Sequence, residues 1–295
     1  MSIFKILPTF VRHDKFTQEV LNKNNDKLGV LKKIERNCIQ AFYPTNTHKK
    51  FSAGSREHFF HFLIGYLLPI VSHQSQLNFK EFSVLDCGPI MTPLLEDTLN
   101  RLDYKFKIIS LAEVKRPYYV KQWDMHWTSI NSVSRAIEQI KNAYHTYECS
   151  ACHSKLAGEN LLIMRSHPHD FYLHHAEIKG YGTSRRAIEN LQEISKYLVS
   201  KGVNHILYEP GIHTLGCQIH HFKKSKRIAG MRGAEWANVI WADQDIRVRI
   251  TDPQPPAEIL INFLKRLNVN FEFSFSNQFH VHEDPKKIEN FFTSK

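Results

Sequence analysis

RIAGMRGAEWAN, residues 227–238, is the stretch on which the reading of this chain turns. Arg227-Ile228-Ala229-Gly230 reads as a short buried strand with a basic start. It runs through Arg232-Gly233-Ala234-Glu235 into a helix-compatible segment that reaches Trp241. A strand that turns through glycine into a helix start leaves free backbone N–H groups and a partial positive charge at one point, which suits a phosphate or diphosphate. Arg232 adds a fixed cation with the planar fork that phosphate accepts. On pattern alone, a turn that merely packs is the commoner outcome, so the reading rests on what surrounds it.

Outward from that turn, strands and helices alternate. The second half predicts a strand at 160–165 and then a polar, histidine-bearing loop (His167, His169, His174, His175). A single helix over 184–201 follows, with Ser184 as N-cap, then a strand at 204–208 and a helix at 212–224. After the 227–241 turn come a strand at 246–250, a helix at 257–267, a strand at 268–273 and a last helix at 285–292. The first half predicts helices at 56–73, 92–102 and 131–144 and strands at 82–86 and 106–111. Such alternation implies parallel α/β sheets, here two Rossmann-like domains, 1–152 and 153–295, facing across a cleft. Ligands of open α/β sheets sit beyond the carboxyl ends of the strands. Arg165, Glu209 and Arg232 all fall at or just past such ends.

The 295 residues carry a formal net charge of +10 and a pI of about 9.3, which favours an anionic partner without choosing between nucleotide-sugars, nucleic acid and acidic membranes. Lys223, Lys224, Lys226 and Arg227 lie just ahead of the phosphate turn, where they could steer an anion. MSIFKILPTFVRHDK lacks the apolar core of a signal peptide, and the most apolar segment, 59–71, is broken by His61 and Pro69 and too short for a bilayer. The expectation is a cytoplasmic protein with at most peripheral membrane contact. Five scattered cysteines suit a reducing compartment better than a disulfide scaffold. Cys149 and Cys152, in a C-x-x-C-H string with His153, read as two free thiols; a zinc site there would need a second ligand pair.

Five pieces occur in order over residues 160–253: LLIMR ending at Arg165; Arg186, Ile188 and Asn190 as R-x-I-x-N; Glu209-Pro210-Gly211 after a strand; a helix with Gln218; and Gly230, Gly233, Ala234 and Asn238 as G-x-x-G-A-x-x-x-N. In the first half, HFFHFLIGYLLP adds an apolar helix with an embedded His61. This set resembles glycosyltransferase family sixty-one, which includes β-1,2-xylosyltransferases, O-linked N-acetylglucosamine transferases and capsule enzymes. The chain departs from it in two places. The family's turn usually reads histidine-glycine-alanine-glycine, and here Arg232 replaces the histidine and Glu235 the last glycine. A carboxylate at a diphosphate-binding helix start is unfavourable unless it faces a sugar hydroxyl.

The resemblance implies a GT-B fold, with the first domain on the acceptor side, the second binding the nucleotide-sugar, and inverting transfer to a glycan acceptor. It implies neither metal nor cofactor, and its members favour UDP-xylose or UDP-N-acetylhexosamine as donor. Arg165, Arg186, Arg232, Gly233 and Ala234 are the expected diphosphate contacts, and Glu209 is expected to accept from ribose hydroxyls. Asn190 and Gln218 complete the donor-side set, better suited to orienting loops than to touching substrate. His61 is the first candidate for the base, as a titratable ring on an apolar helix; a hydrogen-bonded core histidine is the equal alternative. Asp86 and Glu235 are the reserves. Two other classes stay open. Ser83-Val84-Leu85-Asp86-Cys87-Gly88 resembles the first motif of S-adenosylmethionine methyltransferases, without its next glycine. The charge also allows a non-enzymatic nucleic-acid binder, although no nucleic-acid motif is present.

Overall fold

Short apolar runs closed off by polar residues, such as Leu161-Leu162-Ile163, are suited to strands covered on both faces, and that is how they fold. The computed structural model describes residues 40–44, 56–77, 79–114, 117–120, 130–147, 160–175, 182–243, 245–254 and 258–294. The chain divides into two compact units, Met1–Lys50 with Gly54–Ala143 and Phe51–Ala53 with Tyr144–Lys295. The boundary expected at 152/153, and with it Cys149, Cys152 and His153, lies outside the described residues.

The first unit contains β1 (Gln40–Pro44), α1 (Phe59–Phe62), a π-helical turn (Leu63–Leu67) that runs on into α2 (Leu68–Leu77), β2 (Phe82–Leu85), α3 (Gly88–Arg101), β3 (Phe106–Ile109), β4 (Pro117–Val120) and α4 (Ile130–Ala143). Its sheet has the order β3-β2-β1-β4, parallel throughout. β1 and β4 are additions to the expected elements; each carries a proline at one end, and pairing with neighbours makes them strands. α3 starts four residues earlier than Thr92, where it was expected. Pro89 sits in the first turn, where its missing N–H has no intrahelical partner to lose. Tyr66 of the π turn is fully buried, and its hydroxyl accepts from Leu85 N at 2.6 Å, which ties the turn to β2.

The second unit contains β5 (Asn160–Ile163), α5 (Asp170–His175), α6 (Gly182–Arg185), β6 (Ala187–Ile188), α7 (Leu191–Ser200), β7 (Ile206–Tyr208), α8 (Leu215–Lys224), β8 (Arg227–Met231), β9 (Arg247–Asp252), α9 (Glu258–Arg266), β10 (Asn270–Phe275), β11 (His280–Val281) and α10 (Pro285–Thr293). Its main sheet runs β10-β9-β8-β5-β7, all parallel, and β6 pairs with β11 in a separate two-stranded sheet. Leu162 and Ala229 from the sheet, Ile194 and Leu198 from α7, and Phe291 and Phe292 from α10 share one core. Both units are Rossmann-like α/β folds built on parallel sheets.

Two expected elements are corrected. The helix predicted over 184–201 is broken into α6, β6 and α7. Asn190, at the start of α7, clasps the segment after β11: its amide donates to Glu283 O at 2.9 Å and accepts from Glu283 N at 3.0 Å. The β6–β11 ladder takes backbone groups that a continuous helix would have used, and the clasp of the Asn190 side chain on the Glu283 backbone fixes the break. The segment after the glycine turn, Ala234–Trp241, is a 3₁₀-helix rather than the expected α-helix, with poorer hydrogen-bond geometry.

Candidate functional site

Strand register brings two arginines and an aspartate together. Ile163 of β5 faces Gly230 of β8, and Met231 of β8 faces Thr251 of β9. The residues just beyond these pairs are Arg165, Arg232 and Asp252, side by side at the carboxyl edge of the sheet. Arg165 is buried and donates from Nη1 to Arg232 O at 2.6 Å and from Nε to Gly182 O at 3.2 Å. Arg232 donates from Nη1 to Asp252 Oδ2 at 2.8 Å, and Asp252 is fully buried.

Arg186, between α6 and β6, completes the cluster. It is 6% exposed, and neither its Nε nor its Nη1 has a hydrogen-bond partner. Burial pushes its pKa down to about 9, and the nearby charges of Arg232, Arg185 and Arg165 push the same way, with Asp252 opposing. A buried guanidinium with free donors among like charges is unfavourable unless an anion completes it. Ser166, next after Arg165, also has a buried hydroxyl without a partner.

Gly233 and Gly182 allow the close approaches. A Cβ on Gly233 would run into Arg165 Nη1 and Glu235 Oε2 and stand 3.0 Å from Arg165 Cζ. Gly182 has φ +51°, and a Cβ there would strike the backbone oxygen of Ser166. Glu235 folds back over Gly233, its Oε2 3.8 Å from Arg165 Nη1 and without a hydrogen-bond partner. Ala234 opens the 3₁₀-helix beside it.

Gln218 and Asn190 are structural clamps in their observed contacts. Gln218 donates to His213 O at 3.0 Å and accepts from Asn238 Nδ2 at 2.7 Å, and Asn238 accepts from Trp241 Nε1 at 3.0 Å. This chain holds the 3₁₀-helix on α8. Glu209 stands at the end of β7, next to the 3₁₀ turn Pro210–Ile212, half-buried. β7 neighbours β5, so Glu209 lies on the same edge as the arginines. Beyond it His213 stacks on Tyr208, ring centroids 5.0 Å apart and 7° from parallel.

His61 and Asp86 belong to the first unit. His61 is half-buried at the end of α1, edge-on to Phe60 at 5.5 Å, just ahead of the π turn. Asp86 Oδ1 accepts from Gly88 N at 2.9 Å and Thr92 Oγ1 at 2.7 Å, so this carboxylate caps the start of α3. The stretch that resembles a methyltransferase motif thus uses its acid locally. A groove of about 510 Å³ in this unit is lined by Glu81, Glu96 and Tyr104 among others. It lies at the amino ends of β2 and β3, away from Asp86.

Sequence reading missed Arg56, Glu57 and Asp252. Arg56 and Glu57 are 2% exposed and lie 3.8 Å apart, and Arg56 Nε donates to Asp86 O at 2.8 Å. Their charges look like an exposed helix start in sequence. Asp252 is legible only as the acid that ends a strand, T-D-P. Of the described cysteines, Cys87 is free and Cys217 is disulfide-bonded, against the expectation of free thiols. Among the described residues no group of three or more His, Cys, Asp or Glu could hold a metal ion, and no helix is long and apolar enough to cross a membrane.

The family model of glycosyltransferase 61 matches residues 59–249, well over half of the chain. The chain belongs to glycosyltransferase family 61. The match runs from His61 and Asp86 through Arg165, Arg186, Glu209 and Arg232 and stops just short of Asp252. It supports neither the methyltransferase nor the nucleic-acid reading. Curated proteins gave no significant match. As a family 61 member the protein is a glycosyltransferase, and its substrates are a sugar donor and a glycan acceptor.

Proposed function

We propose that this glycosyltransferase is a GT-B enzyme that transfers a sugar from a UDP-linked donor, UDP-xylose or a UDP-N-acetylhexosamine, with inversion and without a metal. The observation that carries this reading is the arginine cluster, above all Arg186, buried with two nitrogens unused. Arg165, Arg186 and Arg232 bind the diphosphate, Gly233 and Ala234 let it approach the backbone, and Glu209 accepts from the ribose. Asn190 and Gln218 hold the loops that carry these groups. The acceptor hydroxyl oxygen forms a bond to the anomeric carbon as the bond from that carbon to the phosphate oxygen breaks. The hydroxyl proton passes to a base, and the electron pair leaves with the diphosphate, whose growing charge the arginines meet. His61 is the base in this scheme, with Asp86 and Glu235 in reserve. The same reading places the enzyme in the cytoplasm.

Calorimetry with UDP tests it. Arg186→Gln should weaken UDP binding at least tenfold, since a charge-assisted contact contributes about 1.5–3 kcal/mol. Unchanged affinity removes the cluster from the donor site. In a donor screen, turnover should survive EDTA, and His61→Ala should cut kcat by roughly a hundredfold or more while leaving UDP affinity as it was. Loss of turnover on chelation, restored by manganese, argues against the metal-free scheme.

A further inference from the structure

Resting on the anion site proposed above, we infer that Glu235 sets an upper limit on the negative charge the site accepts, admitting an internal sugar diphosphate and opposing a chain with a further phosphate. The carboxylate stands inside the cluster that would hold the diphosphate. Its Oε2 is 3.8 Å from Arg165 Nη1 and accepts no hydrogen bond, and Glu235 and Arg165 are 14% and 9% exposed in their side chains. Gly233 beneath it has no room for a Cβ because these two side chains fill the space. A ligand on Arg165 Nη1 therefore lies against Glu235.

Arg165, Arg186 and Arg232, with Arg185 nearby, face Asp252 and Glu235, and Asp252 is committed to Arg232 at 2.8 Å. A sugar diphosphate is esterified at both ends and presents hydroxyl or amide N–H groups next to its phosphates. Those donors match the unused Oε2. A nucleoside triphosphate presents another phosphate at that place, and like charges held close in a partly dry site repel. Glu235 would thus exclude the more highly charged nucleotides that compete for a diphosphate site, and it would favour release of the freed diphosphate over its retention.

Inorganic pyrophosphate and tripolyphosphate test this without a base or sugar, in the full-length chain, by calorimetry. Glu235→Gln keeps the shape and removes the charge. It should tighten tripolyphosphate by at least about tenfold more than it tightens pyrophosphate. Should the amide variant not fold, Glu235→Gly removes the carboxylate altogether and should shift the same ratio in the same direction. Arg186→Gln, measured alongside, should weaken both anions. If Arg186→Gln weakens both and the ratio is the same with and without the Glu235 carboxylate, the charge limit is overturned and the anion site stands. If neither anion responds to Arg186→Gln, the anion site falls and this inference falls with it.

Discussion

Arg232 shows how one residue can serve two ends. Its guanidinium is both a member of the arginine cluster proposed to hold the diphosphate and the counter-ion of Asp252, which is fully buried. Reading the sequence alone, one would expect Arg232→Ala to weaken donor binding and spare the fold. The structure changes that expectation, because removing one partner of a buried pair leaves an uncompensated charge, at a cost of about 3–5 kcal/mol. Arg232→Ala should therefore lower the melting temperature markedly as well as weaken UDP binding. Adding Asp252→Asn should restore much of the stability and none of the affinity. A double variant no more stable than the single one would show that the pair does not hold the β8–β9 edge. The three arginines are each visible in sequence near the end of an element, Arg165 and Arg232 at strand ends and Arg186 at a helix start. That Arg186 is buried with idle nitrogens is not, since burial depends on what packs over it.

At the level of elements, the segment Ala234–Trp241 departs most from expectation. Its residues suit an α-helix in isolation, yet it winds as 3₁₀, with Trp236 and Trp241 fully buried. Side chains anchor it: Trp236 Nε1 donates to Met231 O at 3.0 Å, and the Trp241–Asn238–Gln218 chain ties it to α8. Asn238→Leu removes both contacts and leaves Gln218 Oε1 and Trp241 Nε1 buried without partners, each worth about 1–3 kcal/mol. The expected outcome is a loss of about 2 kcal/mol or more in denaturant unfolding. A change under half that size would show that water or repacking replaces the network. Because the same segment starts at Ala234, proposed to let the diphosphate approach the backbone, UDP affinity should fall too. The split of the predicted 184–201 helix has the same origin, since the Asn190 clasp on Glu283 spans 93 residues and no local pattern announces it.

For the whole molecule, two buried histidines set a pH response. Burial pushes both His73, in the first unit, and His221, in the second, down to about 4; the charges of His220, His213 and Lys224 press His221 the same way. In the unfolded chain a histidine titrates near ~6.5, so below that pH the unfolded state takes up protons that the folded state refuses. Stability from these rings is complete above about 6.5 and drains away as pH falls toward about 4. The melting temperature should drop over that range, and His73→Gln with His221→Gln should make the drop shallower. An unchanged slope would assign the acid response to carboxylates. Strand–helix alternation, apolar runs and arginines at element ends made the parallel α/β class and the members of the arginine cluster legible in the residues alone. They are local signals, carried by periodicity and by residue type. Register placed Asp252 beside Arg232, a long-range clasp broke one helix in three, and packing buried Arg186 and Arg56. Those outcomes depend on residues far apart in the chain, so only the tertiary structure could decide them.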